Sequence, residues 1–221
     1  MKKIVFFLSI VVLVSSCTSS KLVNRSVPGS AIKEPAYFEP LAFVSVIDKG
    51  NSGKHNDSLS NVSKILLDSV IRQSKNLKVS KKVEIADLKL KEEIEGELEA
   101  LIQNIIKTNK IEGVKIPVKI DSVLNTSNHR FTIATVASGF GRAKGNYGKQ
   151  IAKGIGVGVL TLGMYTPVPI KANTILYVVI FDTQKREIIY YAKSSPLEKA
   201  PTDKKALEKQ YRALFEGYIY F

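Results

Sequence analysis

Side chains that could carry out chemistry are few in this sequence. It has two histidines, His55 and His129, and one cysteine, Cys17. A zinc site needs three or four closely spaced His, Cys or carboxylate ligands, which this set does not supply. His55 stands near Asp48 and Asp57, but no G-x-S-x-G nucleophile elbow provides a serine for a catalytic triad. The sequence therefore predicts no metal, no cofactor and no enzyme.

A run of glutamates between Glu92 and Glu99 is the other group that could act as acid or base. Glycoside hydrolysis uses one pair of carboxyl groups held in different environments across a cleft. These glutamates instead recur closely along one predicted helix. They are predicted to form its solvated face.

A glycine-rich, basic stretch at 138–150 invites comparison with nucleotide-binding loops. In G-x-G-x-x-G a third glycine would follow Gly141 by three residues, whereas Gly145 comes one residue too late. A phosphate-binding P-loop would have Ser or Thr after the lysine, and Gln150 stands there instead. Both motifs fail, so a flexible loop without a nucleotide is predicted.

The first seventeen residues have the order of a secretory signal. Lys2 and Lys3 are followed by an apolar run, Ile4 to Val14, and then by small residues before Cys17. This run is too short to cross a bilayer core of about 30 Å, so it predicts a signal peptide and not a membrane span.

The four residues Val14 to Cys17 resemble the lipobox of bacterial lipoproteins. The resemblance implies that residues 1–16 are removed and that Cys17 receives fatty acyl chains such as palmitate. Two or three chains anchor a protein stably, because each buried CH₂ contributes about 0.8 kcal/mol. It also implies a location in the cell envelope, and Thr18, where some retention signals have aspartate, favours the outer membrane. No thiol then remains for a disulfide in the mature domain.

The chain is strongly basic. Its net charge of +13 falls to +11 when Lys2 and Lys3 leave with the signal, which contains no acid. An envelope protein with this charge would meet anionic lipids or glycans and not nucleic acid. However, the basic residues are scattered along the sequence, which favours a solvated, lysine-rich surface: Lys81, Lys82, Lys89, Lys91, Lys149, Lys153, Lys204 and Lys205.

Residues 17–40 contain serines and prolines with little periodicity, and they predict a flexible tether before one domain at 41–221. Apolar periodicity predicts an α/β to α+β fold, a mixed sheet of about five to six strands with three or so helices packed on it. The predicted strands are Leu41–Ile47, Leu77–Val83, Lys115–Leu124, Arg130–Ala137, Thr174–Asp182 and Glu187–Lys193. The first predicted helix begins at Asp57 or Ser58. The second covers Glu84–Lys107, with an interruption or division at Gly96. The third is capped by Thr202 and runs from Asp203 to Glu216.

The late hairpin ILYVVIFDTQKREIIYYA resembles that of envelope lipoproteins related to the TolB amino-terminal domain. Penicillin-binding-protein activator lipoproteins and the curli-secretion channel lipoprotein belong to this loose group. Asp182 and the pair Tyr190-Tyr191 match its pattern, but the turn 183–186 lacks the usual glycine. The resemblance implies a fold and does not define a function.

An apolar stretch at 151–170 is the most unusual internal feature, and it contains one charge, Lys153. Glycines alternate there with β-branched residues, which suits close approach by another surface. Three interpretations stay open: packing inside the domain, contact with a partner or membrane, and a transmembrane β-hairpin. The predicted contact residues are Gly154, Ile155, Gly156, Val157, Gly158, Val159, Leu160 and Leu162.

These features together predict a non-enzymatic, membrane-anchored envelope lipoprotein. Its α/β domain would bind or support another envelope component, or self-associate, through a glycine-rich apolar insertion at 139–170. The alternative is a subunit of an oligomeric outer-membrane secretion channel that inserts residues 138–170 as β-hairpins.

Overall fold

A seven-stranded mixed sheet forms the centre of the molecule. The computed structural model describes residues 20–75, 77–152 and 169–219. Its strands are β1 (Ser20–Val23), β2 (Ala36–Tyr37), β3 (Leu41–Ile47), β4 (Lys54–His55), β5 (Phe131–Arg142), β6 (Ala172–Asp182) and β7 (Glu187–Lys193). Their order is β1-β7-β6-β5-β3-β4, with β2 also paired to β5. Strands β2 and β3 run parallel to β5, and the other pairs are antiparallel. The predicted fold class is confirmed.

Helices cover both faces of this sheet. They are α1 (Asp57–Gln73), α2 (Leu88–Thr108), α3 (Val118–Thr126) and α4 (Lys204–Phe215), with a further helical stretch at 146–152. One apolar core joins α1 and α4 to the sheet through Leu67, Ile71, Ile133, Val178, Leu207 and Phe215. A second core joins α2 and α3 to the opposite face through Ile94, Leu98, Ile120, Leu124, Val179 and Phe181. The central strands therefore need apolar side chains on both faces, as their sequences have.

Side chains immediately before the helices fix where they begin. Asn56 Oδ1 accepts a hydrogen bond of 2.9 Å from the Leu59 amide at the start of α1. Asp203 does the same for Ala206 in α4, at 3.1 Å. The caps thus differ from the predicted Asp57 or Ser58 and Thr202, because Asn and Asp at these positions already satisfy the first free amides. The long helix α2 continues through Gly96, where an added Cβ would meet no atom within 4 Å.

The predicted strand Lys115–Leu124 is wrong, because Val118–Thr126 is helix α3. Pro117 occupies the N-cap position, and its missing N–H costs nothing there. Ile120 and Leu124, four residues apart, are both buried on one face of the helix. The run of β-branched residues hid this helical spacing.

The predicted strand Leu77–Val83 is an irregular segment beside β2. A single bridge joins Tyr37 to Lys82, and the amide of Val83 donates to the Tyr37 carbonyl at 2.8 Å. The segment lies alongside β2, which has only two residues, so few backbone pairs can form between them.

The predicted tether at 17–40 extends too far into the domain. Ser20–Val23 form an edge strand on β7, and Val27 and Ile32 are buried in the first core. Gly29 lies so close to the carboxyl-terminal residues that an added Cβ would stand 1.8 Å from the Tyr218 carbonyl oxygen. Contacts with residues distant in sequence order this segment. Cys17, Thr18 and Ser19 lie outside the described residues.

The first part of the glycine-rich stretch is a strand and not a loop. Strand β5 continues to Arg142, and Gly139 and Gly141 pair with Thr174 and Ala172 of β6. An added Cβ on Gly139 would stand 2.0 Å from the Asn173 carbonyl oxygen, so close strand approach requires the glycine.

Candidate interaction site

The residues predicted to contact a partner lie outside the described part of the chain, as does the predicted lipidation residue Cys17. They are Gly154, Ile155, Gly156, Val157, Gly158, Val159, Leu160 and Leu162. The structure does describe both points at which the insertion joins the domain. These are the end of β5 with residues 143–152, and residues 169–171 before β6.

Arg142 connects these two points. Its Nε donates to the Ile170 carbonyl at 2.8 Å, and its Nη1 donates to Asn146 Oδ1 at 2.9 Å. The same guanidinium donates to the Gly50 carbonyl and to Asn51 Oδ1, both at 2.9 Å. The planar guanidinium, with five donors in a fixed arrangement, can bind several oxygens at once. We call Arg142, Asn146, Ile170 and the loop residues Gly50 and Asn51 the insertion root.

Backbone hydrogen bonds strengthen the insertion root. Asn146 is only 6% exposed, and its Nδ2 donates to the Asp48 carbonyl at 3.0 Å. The amide of Arg142 donates to the Lys171 carbonyl at 3.2 Å, and that of Ala143 donates to Ile47 at 3.1 Å. Both ends of the insertion are therefore fixed to the same end of the sheet.

A strip of apolar and small polar side chains lies on the sheet beside the insertion root. The strand register places Phe43, Ser138 and Ile175 in one row and Ser45, Phe140 and Asn173 in the next. These rows share the face that α2 and α3 cover farther along. Phe43 is 36% exposed, and Ile170 at the root is 42% exposed. Apolar surface thus adjoins the insertion.

Five lysines surround the insertion root. They are Lys49, Lys54, Lys144, Lys149 and Lys171, and all are exposed. Residues 48–57, 142–152 and 169–171 contain these lysines and Arg142 but only two acids, Asp48 and Asp57. Asp57 already contacts His55 at 3.1 Å. This end of the sheet is therefore strongly positive.

The two histidines lie at opposite ends of the sheet. His55 and Asp57 are solvent-exposed, and His129 lies at the opposite end of the sheet, where its carbonyl accepts from Thr183. Across residues 20–75, 77–152 and 169–219, no group of three His, Cys, Asp or Glu could hold a metal ion. Over those same ranges, no helix is both long and apolar enough to span a bilayer.

The glutamates of α2 mainly hold the second helical layer together. Glu97 accepts from the amides of Lys119 and Ile120 at 3.0 and 3.1 Å and so caps α3. Glu93 forms an ion pair of 2.8 Å with Lys119. The hydrogen bond and the negative charge of Glu93 raise the pKa of Lys119. The acidic run is more than a solvated face, because Glu97 supplies the cap that Pro117 cannot.

Glu39 forms an ion-pair cluster with Lys64 and Lys91. Partial burial alone would raise the pKa of Glu39, but hydrogen bonds and charges from Lys91 and Lys64 outweigh it and lower the pKa. The cluster connects the segment before β3 to α1 on one side and α2 on the other, and it has no unpaired acid for catalysis.

Asp182, which matches the hairpin pattern of the lipoproteins that the sequence resembles, is fully buried and has a structural role. It pairs with Arg130 at 3.1 Å and accepts from the amides of Gln184 and Lys185. Arg186 takes the left-handed conformation in the turn, with φ of 54°, where glycine is usual. Its guanidinium forms an ion pair with Asp121.

Comparisons with known proteins identify the amino terminus. The family model for the prokaryotic membrane lipoprotein lipid attachment site matches residues 1–18, which include the chain's one cysteine. No curated protein sequence matches the chain.

Three solved structures are similar to this chain at low identity and low structural score. A dodecamer of a PelC point variant from Paraburkholderia phytofirmans has 6% identity and a TM-score of 0.39, covering 93% of this chain and 100% of that one. Another PelC dodecamer structure from that organism has 6% identity and a TM-score of 0.37, covering 90% and 95%. The LpoB carboxyl-terminal domain from Salmonella enterica has 8% identity and a TM-score of 0.30, covering 80% and 88%. At these scores the likenesses carry no conclusion about function.

The attachment site thus supplies the identification. Residues 1–18 carry a prokaryotic lipoprotein lipid attachment site. This match indicates a lipid-anchored lipoprotein of the cell envelope.

Proposed function

We propose that this protein is a non-enzymatic outer-membrane lipoprotein, anchored by acyl chains on Cys17, that binds another envelope component through the insertion that follows β5, residues 143–170. The lipid attachment site supports the anchor. The alternation of glycine with β-branched residues supports a contact surface, because it combines close backbone approach with apolar side chains.

The insertion root is the observation that carries the proposal. The side chain of Arg142 makes four hydrogen bonds that join both ends of the insertion to the loop after β3. Because the domain already holds both described ends of the insertion, those ends lose less conformational entropy when the insertion binds a partner.

The described side chains support a binding role in preference to catalysis. The acids that pair or cap helices have structural partners, as Glu39, Glu97 and Asp182 illustrate. Neither histidine has a serine nucleophile oriented by a hydrogen bond in the described structure. Binding proteins need no such constellation.

Photocrosslinking in cells tests the contact. A photoreactive residue is placed in turn at Ile155, Val157, Val159 and Leu162 of the full-length protein. Leu88, which is 75% exposed on α2, provides the matched apolar control. We expect one discrete adduct at several insertion positions and none at Leu88. No adduct above the Leu88 level, or equal adducts everywhere, would contradict the proposed contact.

One observation favours the alternative of an oligomeric channel subunit. Strands β5 and β6 are antiparallel neighbours up to the pair Gly141 and Ala172, so the insertion leaves and re-enters the sheet between paired strands. Because residues 146–152 are helical, fewer residues of the insertion are left that could extend β5 and β6 as a hairpin. Detergent-resistant oligomers that conduct ions in planar bilayers would support this alternative, and a strict monomer would oppose it.

A further inference from the structure

The scattered lysines of the sequence include five that the fold gathers at one end of the sheet. Lys49 follows the end of β3, and Lys54 of β4 pairs with Val46 of β3. Lys144 and Lys149 follow β5, and the Lys171 carbonyl accepts from the Arg142 amide. We call these five residues the lysine collar.

Few acids lie in the segments that contain the lysine collar. Elsewhere in the structure Lys64, Lys91 and Lys119 pair with carboxylates. In the described part of the chain, no carboxylate forms an ion pair with a lysine of the collar. Asp48 and Asp57 are the two acids within 48–57, 142–152 and 169–171. Unpaired lysines on an exposed surface attract a polyanion more strongly than paired ones, because no internal bond must break.

Strand β1 begins at its end nearer the collar, where Ser20 lies level with Tyr177 of β6. Strand β1 begins at Ser20 opposite Lys193 and ends at Val23 opposite Tyr190. Strand β7 runs toward the collar, because its first residue, Glu187, pairs with Asp182 at the far end of β6. Ser20 is therefore the end of β1 nearer the collar. Only two residues, Thr18 and Ser19, separate Cys17 from Ser20, and the three steps between them reach at most about 11 Å.

Exposed apolar groups accompany the charges. Ile170 lies beside Lys171, and Phe43 lies on the sheet face that leads to the collar. Lysines around apolar side chains match the two layers of a bilayer surface, where charged headgroups lie above hydrocarbon.

We propose that the lysine collar binds anionic phospholipid headgroups of the membrane that holds the anchor, and so fixes the orientation of the domain on the bilayer. The collar then faces the lipid, and the β6–β7 turn faces away. This inference rests on the acyl anchor of the proposed function. It does not depend on the contact between the insertion and a partner, which can be disproved separately.

Lysine labelling on vesicles tests the collar with the acylated, full mature protein. The protein is incorporated into vesicles of phosphatidylcholine alone or with phosphatidylglycerol, pulsed with an amine acetylating reagent and analysed by mass spectrometry. Lys115 and Lys185 are matched controls, because both are exposed at the opposite end, beside Glu187 and in the β6–β7 turn.

We expect severalfold lower labelling of the five collar lysines on anionic vesicles only, with recovery at high salt. Lys115 and Lys185 should label equally on both. Equal labelling of the collar on both vesicle types, or equal protection of the two controls, would overturn the proposal. Protection by a soluble anionic glycan but not by phosphatidylglycerol would also overturn it and would assign the collar to a polymer.

A charge variant provides a second readout. Lys144→Glu combined with Lys171→Glu should make labelling of Lys49 and Lys54 independent of phosphatidylglycerol, whereas Lys115→Glu combined with Lys185→Glu should not. Circular dichroism confirms that each variant folds. Retained protection in the collar variant would contradict the proposal. If the protein fails to stay on either vesicle, the anchor fails and not the collar.

Discussion

The guanidinium of Arg142 and the carbonyl of Ile170 are joined by a hydrogen bond of 2.8 Å, although 28 residues separate them. This contact links the residue that ends β5 to the residues that lead into β6. The insertion between them therefore starts and finishes at one point of the domain.

Replacing Arg142 should loosen the insertion root without unfolding the sheet. Arg142→Met removes four side-chain hydrogen bonds, and each contributes about 1 kcal/mol at most on a partly exposed site. We expect faster amide hydrogen exchange at 143–152 and at Ile170 and Lys171, and little change in β7. Arg72→Met, which removes one exposed ion pair with Asp68, is the control and should change neither region. Unchanged exchange in Arg142→Met would show that the root does not depend on this side chain.

Substitution by alanine should destabilise the protein at one glycine of β5 and have little effect at another. An alanine Cβ at Gly139 would clash with the Asn173 carbonyl oxygen, whereas one at Gly141 meets no atom within 4 Å. Gly139→Ala should lower the free energy of unfolding by about 3 kcal/mol, as overpacking does. Gly141→Ala should change it by less than about 0.5 kcal/mol, as surface substitutions do. Urea unfolding measures both, and equal stability of the two variants would show that β5 and β6 do not approach as described.

The cap of α3 depends on a side chain from α2. Glu97→Ala leaves the amides of Lys119 and Ile120 without their acceptor and should cost about 1 kcal/mol, the usual effect of losing a cap. Glu99→Ala, at an exposed position on the same helix, should be neutral within about 0.5 kcal/mol. Thermal unfolding of both variants checks this. A loss in Glu99→Ala as large as that in Glu97→Ala would indicate that helix charge matters and the cap does not.

The Glu39 cluster should make stability depend on acidity. Because the folded protein lowers the pKa of Glu39 below its ordinary value of 4.5, the carboxylate stabilises the fold above that pH. The contribution is lost as the pH falls through the lowered folded value, when the group gains its proton in both states. At neutral pH, Glu39→Gln should cost about 1 kcal/mol, since the pair is partly exposed to solvent.

Urea unfolding of wild type and Glu39→Gln at several pH values measures this difference. We expect it to shrink steadily below pH 4.5. Glu99→Gln, at an exposed position on α2, serves as the control. A Glu39→Gln difference that stays constant down to strongly acidic pH would show that the ion pairs do not determine it.

Elements with strong local patterns were predictable from sequence. Strand β3 and strand β7 have the predicted bounds, because a continuous apolar run and the hairpin pattern define them locally. Helix α3 was missed because its β-branched residues favour strands, while the cap that stabilises it comes from Glu97, 21 residues before α3 begins. Strand β1 was missed because it pairs with Tyr190 and its neighbours at the other end of the chain.

The interaction site was predictable only in part. The insertion was recognisable from its glycine alternation, but Arg142 gave no signal because its partners are backbone carbonyls and asparagine oxygens. The lysine collar combines three separate loops, so the same lysines appear scattered in sequence and close in space. Only the parallel pairing of β3 with β5 and the antiparallel pairing of β5 with β6 bring them together.

Acylation at Cys17 is the claim on which the proposed orientation and function depend. Cells that produce the full-length wild type or Cys17→Ser are grown with labelled palmitate, and their membranes are then washed with alkaline carbonate. We expect label in the wild type, its retention in the washed membranes, and no label in Cys17→Ser. Label in both proteins, or an unlabelled wild type released by the wash, would contradict the account.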